Sequence, residues 1–158
     1  MEAIDSLEPL FMECVDHFHN AYCCKSQLRK LLQRLLAFEV PLHSLTPSTM
    51  TAWTKYDVRN IETLVELATK AVKVFDRCGQ DNFLIEVCHR SSTVKKCRDI
   101  AAGLQTVAAS LPCLGIPETI FVISVTDLSD ERYDWTDSMR ALKAFKKSLE
   151  GNVRPAYE

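Results

Sequence analysis

Four residues able to bind a soft metal stand close together near the N-terminus: His17, His19, Cys23 and Cys24. Zinc takes four such ligands in a tetrahedron. The apolar period around them is helical, however, and at about 100° per residue His17 and His19 point roughly 200° apart. One helix cannot bring both imidazoles to one ion, so packing and surface roles account for them better. A Cys–His nucleophile needs a thiol in a polar, partly exposed cleft. Cys14 and Cys97 instead fall on apolar stripes and read as small hydrophobes. With only four glycines, none in GxGxxG or Walker-type spacing, no phosphate cradle is present. The chemistry points away from an enzyme, a metal and a cofactor.

Charge is the more informative pattern. The chain has 158 residues and a formal net charge of −2, which gives no global reason to expect nucleic acid. Yet Glu2, Asp5, Glu8, Glu13 and Asp16 precede the first Lys or Arg, and Lys25, Arg29, Lys30 and Arg34 then follow in close order. Acidic residues beside an apolar stripe are unusual for a helix that simply lies on anionic lipid, because such helices are rich in Lys and Arg. A solvated bundle surface explains the acidic face most plainly. In an oligomer the same pattern would turn the stripe of Ile4, Leu7, Phe11, Val15 and Phe18 towards lipid and line a cation path with Glu2, Asp5, Glu8 and Glu13. The basic residues 25, 29, 30 and 34, and a smaller stripe of Arg140, Lys143 and Lys147, would meet anionic headgroups.

Those residues need helices to position them. Apolar residues recur every three or four positions from Ile4 to Tyr22, with Ser6 as the expected cap, Pro9 in the first turn and residues 1–5 as a looser lead-in. The period resumes at Ala21, Cys24, Leu28, Leu31, Leu32, Leu35 and Leu36, with a bend at Pro41 and a turn at Thr46–Thr49. A third helix follows from Val58 to Phe75, closed by Gly79. A segment from Phe83 to Cys88 then leads to a fourth helix, capped by Ser92 and ended by Pro112, whose stripe includes Cys97, Ile100, Leu104 and Val107. Stripes of this kind are buried by packing together, so the expected fold is an all-α four-helix bundle over residues 1–112. Residues 113–128 read as a linker, extended over Thr119–Val125, and 129–150 as a brace helix.

Seven cysteines, an odd and scattered number, fit a reduced compartment, and the apolar runs, Ile120–Ile123 among them, do not exceed four residues, far short of a span of about 20. The expected localisation is cytoplasmic.

The stretch Tyr22 to Leu36, followed by Val40-Pro41-Leu42, resembles the second helix of the killer domain of mixed-lineage kinase domain-like proteins and of mildew-resistance-type coiled-coil domains of plant immune receptors. Leu64–Phe75, Arg77-Cys78, Asn82-Phe83-Leu84 and Lys95–Leu111 follow the same layout, so the similarity covers about residues 4–112. Met-Glu-Ala and Leu7-Glu8-Pro9-Leu10 resemble the N-terminal motif of such receptors in non-flowering plants. The resemblance implies a HeLo-like bundle at the N-terminus of a longer protein, held by regulatory domains of the same chain. It also implies self-association on activation, movement to the plasma membrane, and cell death by permeabilisation or cation-channel formation through the first helix. The first helix lacks the basic residues of the animal killer domain, so lipid recognition by a basic first helix is not carried over. The rival expectation is an adaptor bundle that binds a protein and never touches lipid.

Overall fold

The computed structural model describes residues 2–21, 23–80 and 83–121, with 83–89 described by backbone alone. Among these residues the fold is all-α. Seven helices occur in the order α1 (Glu2–Asp5), α2 (Leu7–Asn20), α3 (Lys25–Leu36), α4 (Glu39–His43), α5 (Pro47–Thr51), α6 (Lys55–Cys78) and α7 (Phe83–Ser110). Two 3-10 turns follow, at Pro112–Leu114 and Glu118–Ile120. The four longer helices, α2, α3, α6 and α7, pack as a bundle.

The amphipathic stripes meet in one core. Leu28, Leu31, Leu35, Ile61, Leu64 and Leu104 are fully buried, and Phe38 and Phe75 are the largest of the fully buried side chains. Of the ten stripe residues that the period assigns to the interior, Leu28, Leu32, Leu35, Leu64, Ala68, Val72, Cys97, Ile100, Leu104 and Val107, Val72 alone is half-buried; the other nine are buried. Gly103 lets α6 and α7 approach closely, since a Cβ there would lie 2.8 Å from Cδ2 of Leu67. The α6–α7 pair is thereby a closely packed seam of the scaffold.

Helix starts follow local chemistry where a side chain reaches the free backbone donors. Thr54 opens α6 with a capping box: its Oγ1 accepts from the Asp57 N–H at 3.3 Å while Oδ2 of Asp57 accepts from the Thr54 N–H at 2.8 Å. Gly79 follows the last residue of α6, as its position in the sequence implied.

Several expected boundaries are corrected. Ser6 does not cap α2; its backbone is helical and its hydroxyl donates back to the Ala3 carbonyl at 2.8 Å. Residues 2–5 are helical as α1, so the lead-in is almost continuous with α2. Helix α3 begins at Lys25, and Cys24 before it adopts a left-handed conformation with φ of 53°, so Ala21 and Cys24 lie outside the second helix that the period assigned them to. The chain bends at Ala37–Phe38, ahead of Pro41, whose missing N–H then falls in the first turn of α4 where it costs nothing. Thr46 is a helix cap: its Oγ1 accepts from the Thr49 N–H, and 47–51 are helical as α5.

Ser92 lies inside α7, which runs unbroken from Phe83; Thr93 beside it is buried, so packing has overridden a local cap signal. Thr119 and Ile120 belong to a 3-10 turn, not an extended segment, while Leu114 and Phe121 are buried against the bundle. Phe121 meets Phe38 at a ring-centroid distance of 6.3 Å. The rest of the expected strand, and the expected brace helix at 129–150, lie outside the described residues.

Candidate functional site

Helix α2 carries the expected membrane-active stripe, and in this structure that stripe is spent on the core. Leu7 and Phe11 are 1% and 3% exposed. Ile4, Val15 and Phe18 pack half-buried at the margin, and Phe18 stands edge-on to Phe75 of α6 at 6.4 Å. Glu2, Asp5, Glu8 and Glu13 are all exposed. The seal is incomplete on the α4 side, where a crevice of about 160 Å³ runs between Ile4, Leu7 and Phe11 on one wall and Leu42 and His43 on the other. The bundle thus holds this helix by one face and leaves its carboxylates in water.

The basic residues of α3 do not form a uniform free face. The ammonium of Lys25 donates to the Phe18 carbonyl at 2.9 Å and lies 4.7 Å from the centre of the Phe18 ring. The same carbonyl accepts from the Ala21 N–H at 3.2 Å, so the cation adds a second donor in the last turn of α2 and complements its dipole. Nε of Arg34 donates to the Ile120 carbonyl at 3.4 Å, tying the second 3-10 turn to α3. Arg29 is exposed and Lys30 half-buried. Arg140, Lys143 and Lys147 lie outside the described residues.

The His/Cys constellation is rearranged by the fold. His17 faces α6, with Nδ1 3.7 Å from Oδ1 of Asp76, and His19 is exposed. Among the described residues no group of three or more His, Cys, Asp or Glu side chains is placed to hold a metal ion. Cys23 and Cys24 meet Cys78 at the end of α6, and all three are buried. Sγ of Cys23 donates to the Cys78 carbonyl at 3.7 Å.

Within this trio the Cys24 thiol is shifted down, by hydrogen bonds from Cys23 and Cys78 and by the nearby Arg90 guanidinium, against the opposing effect of burial. The Cys23 thiol is shifted up by its bonds to Cys24 and Cys78 and by burial. Cys14 and Cys97 behave as the sequence implied. Burial pushes each up to about 12, helped by Glu13 for Cys14 and by Cys24 for Cys97. The trio escaped sequence reasoning because Cys78 is far away in the chain, and no local spacing announces it.

A second feature also escaped sequence reasoning. Between α6 and α7 lies a groove of about 470 Å³ with Val74, Thr93 and Ile100 among its lining. Lys70, Lys73 and Arg77 from α6 and Lys96 from α7 surround it, opposed among the described residues by one carboxylate, Asp99. The spacing of 70, 73 and 77 places those three on one helix face, a signal available in the sequence but masked by the mixed charge of α6 as a whole.

Comparison of the chain with family models, curated proteins and solved structures found no match. No helix among the described residues is long and apolar enough to cross a membrane. What characterises the molecule is therefore an all-α bundle, a terminal helix with an acidic outer face, a buried thiol trio and a basic groove.

Proposed function

We propose that this chain is a non-enzymatic cell-death executor or signalling module of HeLo-like type, acting by oligomerisation and by membrane permeabilisation or cation conduction through its N-terminal helices. The observation that carries this reading is the asymmetry of α1 and α2. They are bound to the bundle through one apolar face, and Glu2, Asp5, Glu8 and Glu13 stay exposed on the other. Once released, the apolar face would meet lipid, and carboxylates from several copies would form rings that favour cations. The resemblance in the order and pattern of residues 4–112 supports the same reading, with anionic lipids, further copies of this chain and regulatory domains of the same polypeptide as partners.

The burial of Leu7, Phe11 and Cys14 favours a second reading, an adaptor bundle in which α2 is a permanent part of the core. Dye leakage and ion flux from liposomes, measured on the oligomerised protein, separate the two. The executor reading expects leakage, and expects Glu8→Ala with Glu13→Ala to reduce cation flux while sparing membrane association. An oligomer that leaves liposomes sealed would rule it out in favour of the adaptor.

A further inference from the structure

The groove between α6 and α7 has a chemistry that bundle stability does not require. Four cations converge on one concavity, and none of their side chains makes a hydrogen bond or ion pair among the described residues. Lys70, Lys73 and Lys96 are exposed at its rim, while Arg77 is half-buried. From Lys70 to Arg77 the helix rises about 10 Å at about 1.5 Å per residue, so the positive charge is spread along the groove. On a flat, wet surface such charges are weakly coupled and explain little. Here the buried Val74 and Ile100 supply an apolar floor, and the concavity concentrates the field of the cations that line it.

We propose that this groove is a binding site for a compact ligand bearing two or more phosphates, held by Lys70, Lys73, Arg77 and Lys96. Arg77 supplies a planar fork able to grip two phosphate oxygens at once, and the three lysines act as adjustable point charges around it. Among the described residues, Asp99 leaves the lining with three net positive charges, four cations against one carboxylate. One orthophosphate, with at most about two charges near neutral pH, leaves part of that field unmatched. Two linked phosphates match it. The ligand is either a soluble polyphosphate or the phosphorylated headgroup of a lipid. The site stands independently of the executor reading, since it involves neither α1, α2 nor the basic face of α3.

The test uses the whole chain with two probes, sodium tripolyphosphate in solution and phosphatidylcholine vesicles containing a minor fraction of phosphatidylinositol bisphosphate. Tripolyphosphate binding is read by the rise in melting temperature with ligand concentration, which reports affinity for the folded state. Vesicle binding is read by co-sedimentation. Lys73→Ala with Arg77→Ala is expected to weaken binding by about tenfold or more and to flatten its salt dependence. Lys70→Ala with Lys96→Ala, both at exposed positions, should weaken it in the same direction. Arg77→Lys keeps the charge but loses the fork, and should fall between wild type and the alanine pair.

Groove-dependent binding of tripolyphosphate with no preference for the charged vesicles assigns a soluble ligand, whereas groove-dependent binding to the vesicles assigns a lipid headgroup. Failure of the wild type to bind either probe would overturn the proposal. So would undiminished binding by both alanine pairs, or orthophosphate binding as tightly as tripolyphosphate. Membrane leakage plays no part in these readouts, so their failure leaves the executor reading untouched.

Discussion

The two basic surfaces of this bundle have opposite histories. That of α3 is contiguous in sequence, from Lys25 to Arg34, and looks like a ready-made lipid face, yet its two ends are drawn inward. Lys25 closes the last turn of α2 and Arg34 holds the Ile120 carbonyl. That of α6 and α7 is scattered in sequence, and the fold gathers it around a groove with its cations uncommitted among the described residues. A run of like charge therefore identifies a helix face without saying what the face meets. Packing decides whether each charge becomes a clamp or remains available to a ligand.

The comparison is tested most severely through the scaffold that both surfaces share. Phe75 is fully buried and stacks edge-on against Phe18, whose carbonyl accepts from Lys25. Phe75→Ala is expected to cost about 3–5 kcal/mol in urea unfolding. A cost below about 1 kcal/mol would show that α2 and α6 are not joined through this ring.

Alkaline pH gives the next largest effect. Cys14 and Cys97 have folded pKa values raised to about 12 from 9.0. A raised pKa means that their contribution is complete below about pH 9, where both states hold the proton. As pH rises towards 12 the unfolded thiols ionise first and stability falls. Melting temperatures should drop across that window, and Cys14→Ala should flatten the drop. A parallel profile in the variant would show that Cys14 is not buried as described.

The clamp itself is smaller. Lys25→Met should cost about 1–2 kcal/mol by removing the charged hydrogen bond and the contact with the Phe18 ring. Arg29→Ala, at an exposed position of the same helix, should stay within about 0.5 kcal/mol. Equal effects would erase the distinction between the committed Lys25 and the exposed Arg29. The smallest change concerns the start of α6, which carries most of the groove. Thr54→Ala should cost about 1 kcal/mol through loss of the capping box, measured by chemical denaturation, and leave tripolyphosphate affinity unaltered.

Much of the core was legible because burial on a helix is periodic. The stripes containing Leu28, Leu64 and Leu104 needed only their own spacing to be placed inside. Gly79 likewise announced the end of α6. Ser92 did not behave as a cap, and Pro41 did not set the bend, because helix continuation and the turn at Ala37–Phe38 depend on what neighbouring helices bury.

By itself the sequence determined the all-α class, the interior faces of the helices and the acidic exterior of the N-terminal helix. These follow from short-range spacing of about 3.6 residues per turn and from the high cost of burying unpaired charge. The tertiary structure alone decided that Cys78 joins Cys23 and Cys24, that Lys25 serves α2, and that Lys96 completes a groove begun by Lys70, Lys73 and Arg77. Each of these joins residues on different elements, and such pairings arise only when helices choose their neighbours and the angle at which they pack.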